Sequence, residues 1–110
     1  MKAIEYTSYG APDVLHLKDM TIPTPKPNEV LIRIRATTAT AADIMMRKGN
    51  PYIGRLYTGL KGPKRTILGF EFAGEVVETG SAVTLFKTGD KVFGGTTSLG
   101  SYAEYACVSE

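Results

Sequence analysis

Twelve glycines and six prolines cut this chain of 110 residues into short segments. Glycine costs entropy inside regular structure and proline removes a backbone donor, so neither suits long helices or central strands. Many short strands joined by tight turns are the arrangement that tolerates such punctuation, which points to a sandwich or a barrel. The length suffices for one compact domain and not for two. With 43% apolar residues, a core can form without metals or disulfides.

Residues 29–36 carry the clearest strand pattern: Val30, Ile32 and Ile34 alternate with Leu31, Arg33 and Arg35. A period of two places the arginines on the wetter face. Residues 2–6 can pair with 14–18 across a turn containing Gly10, Pro12 and Asp13, and His16 then lies on an outer face. The proline-rich stretch 22–27 reads as an extended connector or a sheet edge. Thr40 precedes two alanines and Asp43, the order of a helix cap followed by an acid at the third helical position. The expected helix covers 41–48, with Ile44, Met45 and Met46 as core-filling side chains and Gly49 as its stop. Residues 50–66 show no periodicity and read as a long loop, of the kind usually kept for function. Further strands are expected over 67–77, where Gly69 and Gly74 mark bulges or close approach. A turn feeding a strand follows over 86–93, and a last strand over 102–108. The fold class read from this pattern is mainly β with one short helix.

Several functions are excluded at this stage. Thirteen basic against eleven acidic residues create no field for nucleic acid or an anionic membrane. A single cysteine, Cys107, allows no internal disulfide and fits a reducing compartment; in an apolar strand it acts as a small hydrophobe. One histidine, His16, leaves too few ligands for a zinc site of the usual kind. The N-terminus lacks the apolar region of a signal peptide and no run could span a bilayer. The expectation is a soluble, cytoplasmic protein. No two glycines stand two apart, so the dinucleotide fingerprint G-x-G-x-x-G is missing, as is a P-loop.

Three segments carry a family resemblance. Gly69-Phe-Glu71-Phe-Ala-Gly74-Glu-Val76 resembles the G-H-E-x-x-G-x-V signature of medium-chain dehydrogenases/reductases. Gly89-Asp90-Lys91-Val92 resembles that family's G-D-[RK]-V turn. Gly100-Ser-Tyr102-Ala-Glu104-Tyr105 is similar to the G-x-Y-A-E-Y strand of its quinone oxidoreductase branch. The opening Met1-Lys2-Ala3, the Tyr9-Gly10-x-Pro12 turn and Pro25-x-Pro27-x-Glu29-Val30 follow in the same order, so the resemblance covers the whole chain. It implies a GroES-like, partly open β-barrel forming the N-terminal part of a catalytic domain over 1–110. A Rossmann domain that holds NADP or NAD would follow and is not present here. The parent would reduce a quinone, an enone or a related small carbonyl substrate by hydride transfer.

Departures from the family pattern sharpen this. In zinc-dependent members cysteine occupies the position of Thr40 and histidine that of Phe70, and a cysteine-rich lobe follows the G-D-[RK]-V turn. None of these is present, which implies an alcohol dehydrogenase-like but zinc-independent oxidoreductase with no metal site. Without a metal, hydrogen-bond donors must stabilise charge on the substrate oxygen. Thr40 is the candidate donor and cofactor neighbour, with a simple helix cap as its plainer role. Asp43 is a candidate in the same helix, or a capping residue only. Tyr52, three residues after Gly49, is the candidate proton donor, or a partly buried loop tyrosine. Glu71, flanked by Phe70 and Phe72, is expected to be buried with a basic partner. Arg55, Lys61, Lys64 and Arg65 are either a solvated face or a greeting for an acidic group. Two functional classes stay open: a fragment of a reductase, inactive alone and prone to self-association through its uncovered apolar face, or a free-standing GroES-like binding module.

Overall fold

The computed structural model describes residues 1–49, 66–96 and 100–110. In them the chain passes through β1 (Lys2–Glu5), a 3-10 turn (Pro12–Val14), β2 (His16–Asp19), β3 (Glu29–Thr37), α1 (Ala41–Lys48), β4 (Glu71–Thr79), β5 (Lys91–Gly95) and β6 (Tyr105–Ser109). Strand β3 is the spine. It pairs antiparallel with β4 on one side and β6 on the other, and β5 extends the sheet in the order β5-β4-β3-β6.

The alternation read from the sequence explains which face of β3 is buried. Val30 and Ile32 form the main core with Phe72 and Val76 of β4, and Ile34, Val83, Val92 and Val108 pack at its margin. Arg33 and Arg35 are exposed, and Arg35 reaches Glu75 on the neighbouring strand at 2.8 Å. The β3–β4 register shifts between Leu31 and Ile32 and again between Ile34 and Ala36. Opposite Ile34 stands Gly74, where an added Cβ would lie 2.1 Å from the Arg33 carbonyl oxygen. Only glycine permits that approach, which is the close contact expected of it.

Strands β1 and β2 form a separate two-stranded ribbon, with Lys2 opposite Asp19 and Glu5 opposite His16. Isolated bridges join it to the rest, Ala3 to Ala103 and Glu5 to Ile67, with Tyr6 N–H donating to the Thr66 carbonyl at 2.8 Å. Ala3, Tyr6, Leu68 and Ser101 are buried along this junction. Among the described residues the sheets do not close into a complete barrel, because β5 and β6 remain edges. Over the described residues the fold is mainly β with one α-helix and partly open, as the resemblance implied. No helix among the described residues is long and apolar enough to cross a membrane.

Four expectations are corrected. The strand expected over 67–77 begins only at Glu71, because Gly69 at φ 113 breaks the extended path before it. The strand expected over 102–108 begins at Tyr105; Tyr102 instead bonds to the Leu68 carbonyl. Met45 and Ile44 are about half exposed, since the buried position of α1 is Asp43 and not its apolar side. Glu71 is likewise exposed: β4 turns Phe72 inward, and adjacent residues of a strand cannot share a face.

Candidate active site at the start of the helix

The chain leaves β3 at Thr37 and enters α1 three residues later. Thr40 caps the helix with extended backbone, φ −108 and ψ 167. Its hydroxyl accepts from the Asp43 N–H at 3.3 Å, while its own N–H donates to Asp43 Oδ2 at 2.9 Å. This reciprocal pair satisfies two helix-end donors that would otherwise be orphaned. The sequence showed the cap; it did not show how far Asp43 reaches. Asp43 is 3% exposed, and its other oxygen, Oδ1, accepts from the Gly69 N–H at 3.1 Å. The carboxylate therefore ties α1 to the first residue of the Gly69-Phe-Glu71 segment.

Gly69 can hold this place only as glycine. Its φ is positive, and an added Cβ would lie 2.0 Å from Ser101 Oγ. Ser101 is 1% exposed and shares a 2.8 Å hydrogen bond with Thr37 Oγ1. Thr37 spends its proton on the Glu71 carbonyl at 2.7 Å, so Ser101 is the donor to Thr37. Beside it, Tyr102 donates from its hydroxyl to the Thr38 carbonyl at 3.2 Å. Burial, with the neighbouring Asp43 carboxylate, pushes the Tyr102 phenol up to about 12. It therefore stays protonated and remains a donor across the ordinary pH range.

One proton decides what Thr40 can do. Its hydroxyl donates to Asp43 Oδ2 at 3.0 Å, so donation to a ligand requires that proton to change partner. Asp43 also borders a cleft of about 620 Å³ whose walls include Ile4, Leu15, Leu17, Ile34 and Tyr102. Arg47 of α1 lines the same cleft, its Nε buried and without a hydrogen-bond partner among the described residues.

Of the residues singled out from sequence, the structure brings Thr40 and Asp43 together. Tyr52, Arg55, Lys61, Lys64 and Arg65 lie outside the described residues. Glu71 contributes only its carbonyl. His16 is exposed on β2. Cys107 is half-buried; burial first, then Glu29 and Glu78, push its thiol up to about 11, so it is a poor nucleophile at neutral pH. Sequence reasoning missed Ser101 and Tyr102. Their signal was the Gly100-to-Tyr105 segment, a family strand motif to which the sequence assigned no site role. For zinc the donor set does not fit: Phe70 has no lone pair and the Thr40 hydroxyl is engaged with Asp43. Among the described residues no group of three or more His, Cys, Asp or Glu side chains could hold a metal ion.

Comparison with known proteins adds the following. The family model of the alcohol dehydrogenase GroES-like domain matches residues 26–110. A chloroplastic quinone-oxidoreductase homolog of Spinacia oleracea is 40% identical over all of this chain and 33% of its own length. A 2-methylene-furan-3-one reductase of Solanum lycopersicum is 37% identical, again over the whole chain and 29% of its own. The crystal structure of Escherichia coli quinone oxidoreductase complexed with NADPH superposes with a TM-score of 0.85 at 30% identity, covering 99% of this chain and 31% of that one. The chain thus spans about a third of the length of the curated relatives it matches.

Proposed function

The chain belongs to the alcohol dehydrogenase GroES-like domain family, and from that premise we propose that it is the substrate-facing part of a zinc-independent, NAD(P)H-dependent oxidoreductase. The substrates are quinones, enones or related small carbonyl compounds. The names of the relatives support this class: two are quinone oxidoreductases or their homolog, one of them complexed with NADPH, and the third is a 2-methylene-furan-3-one reductase. The observation that carries the reading is the Thr40–Asp43 pair at the start of α1, at the position where zinc-dependent members of the family place a cysteine.

A bound nicotinamide supplies the hydride, and positioning and charge stabilisation fall to the protein. Negative charge grows on the substrate oxygen as the hydride arrives. The first-turn amides of α1 point out of the helix toward such an anion. Thr40 adds its hydroxyl by turning its proton from Asp43 Oδ2 to the substrate, while the Thr40 N–H keeps Asp43 in place. Tyr52, from the segment after α1, is the donor of the proton that completes the reduction; as a phenol it acts as an acid and not as a base. Thr40 also faces the nicotinamide side, and the remaining cofactor contacts belong to a Rossmann domain outside these residues.

The test is a longer polypeptide carrying residues 1–110 joined to its nicotinamide-binding domain. It is expected to oxidise NADPH with a quinone or an enone, and Thr40→Val to lower turnover about a hundredfold, the scale of one lost oxyanion donor. The 110-residue chain alone is expected to do neither. NADPH oxidation by the short chain, or no hydride transfer by the long one, would overturn the reading. A second reading, a free-standing binding module, is favoured only by the apolar cleft, and binding of an apolar dye by the short chain would support it.

A further inference from the structure

The Thr40–Asp43 pair does not stand alone; it is one arc of a closed circuit. Tyr102 N–H donates to the Leu68 carbonyl at 3.0 Å. The N–H of that same peptide unit, at Gly69, donates to Asp43 Oδ1. Asp43 Oδ2 holds Thr40 through its N–H and its hydroxyl. Two residues back, the Thr38 carbonyl receives the Tyr102 hydroxyl and closes the ring. The backbone of Tyr102 is pinned from the other side as well, because Ile4 N–H donates to its carbonyl at 2.9 Å. A residue fixed by β1 and by the 66–69 segment thus reaches across with one side chain to the turn between β3 and α1.

We infer that Tyr102 is the positioning residue of this site: its hydroxyl latches the Thr38 carbonyl and so sets where Thr40 and the first turn of α1 point. The Tyr102 hydroxyl is the link in the circuit made by a side chain that belongs neither to the helix nor to its cap. Residues 38 and 39 are exposed and among the described residues have no strand partner, so without the latch the turn is held only at its ends, by Thr37 on the β3 side and by Asp43 on the helix side. A half-buried phenol that keeps its proton suits the task, since the latch does not open with pH. The bearing of the latch on turnover rests on the reading of Thr40 given above; its bearing on the turn does not.

Tyr102→Phe keeps the ring and removes only the hydroxyl. In the 110-residue chain, amide hydrogen exchange at Thr40 and Gly69 is expected to quicken about tenfold, the scale of one lost hydrogen bond. Exchange at Val76 and Gly89, bonded to each other's turn far from the site, is expected to stay within about twofold of the parent. Equal quickening at all four amides makes Tyr102 a general stabiliser and overturns the inference, as do unchanged rates at Thr40 and Gly69. Should the variant fail to fold, the parent chain decides: a slowly exchanging Tyr102 hydroxyl proton with a cross-peak to the residue 38–39 backbone supports the latch, and rapid exchange with solvent removes it. In the longer polypeptide, Tyr102→Phe is expected to lower kcat about tenfold with the KM for NADPH within about twofold. Local quickening without loss of kcat keeps the latch and overturns the part given to Thr40.

Discussion

Replacing Asp43 tests the central joint of the site. Its carboxylate accepts from Thr40 N–H, Thr40 Oγ1 and Gly69 N–H while the residue is 3% exposed. Asp43→Ala strands two backbone donors. Each costs about 1–3 kcal/mol when it is left buried without a partner, and the lost cap interaction adds about 1 kcal/mol. The expected loss is therefore about 3–7 kcal/mol, against a total stability of about 5–15 kcal/mol for a domain. Asp43→Asn separates hydrogen bonding from volume. It keeps one acceptor oxygen, but its amide nitrogen must face either Thr40 N–H or Gly69 N–H, donor against donor. About 2–3 kcal/mol is expected, less than for alanine and far more than for a surface change. Urea unfolding followed by far-UV circular dichroism gives both values, and an unchanged m-value shows that the native and unfolded states are otherwise comparable. If both variants lose less than about 1 kcal/mol, the carboxylate is not the joint and the account of Thr40 built on it fails.

Gly69→Ala combines a positive φ with a Cβ 2.0 Å from Ser101 Oγ; strain and overlap each cost about 1–3 kcal/mol, and a urea midpoint near the parent's would refute the packing described. Alkaline pH is expected to destabilise the chain: burial raises Cys107 to about 11 and Tyr6 and Tyr102 to about 12. All three hold their protons more tightly when folded, so their contribution is complete below about 9 to 10, the unfolded values, and is lost as pH rises through 11 and 12. Urea midpoints between pH 8 and 11 check this, and Tyr6→Phe should flatten the decline; a midpoint that rises with pH refutes it. Phe93 is 88% exposed on an edge strand, so Phe93→Ser is expected to alter stability by no more than about 0.5 kcal/mol and to weaken self-association in sedimentation velocity, whereas a folding defect would place Phe93 in the core.

What the sequence made legible was local. The alternation in 29–36 separated core-facing Val30 and Ile32 from exposed Arg33 and Arg35, because a period of two encodes a face directly, but it did not show that Leu31, on the arginines' face, is also buried. Thr40, Asp43 and Gly49 bounded α1, because caps and stops act within one turn. Residues whose role depends on distant partners were not legible. Nothing near Asp43 in the chain announces Gly69, and nothing near Tyr102 announces Thr38; these contacts span 26 and 64 positions. Met45 and Ile44 were misjudged for the same reason. Helical spacing shows that a side is apolar, not whether the fold covers it, and here the covered residue is the charged one. Glu71 was misjudged from its aromatic neighbours, when its own parity in β4 was the better guide.

The capping box also bears on the metal-free site proposed above. A side chain just before a helix, with an aspartate three residues on, can cap that helix or bind a metal, but one set of lone pairs does not serve both. Threonine suits the cap: its oxygen accepts from the Asp43 N–H and its proton returns to the same carboxylate. Cysteine, a weak acceptor, would leave the cap poorly made and gain nothing here, because Phe70 cannot complete a zinc site. The two substitutions relative to zinc-dependent members are therefore coupled by chemistry. With phenylalanine at position 70, threonine at 40 supplies a well-made cap and a hydroxyl proton held by Asp43, where cysteine would supply neither. It follows that Thr40→Cys should cost about 1 kcal/mol of stability without conferring zinc affinity, measurable by unfolding and by metal analysis after dialysis. Tight zinc binding by that single variant would mean that another ligand stands where this structure shows only Phe70.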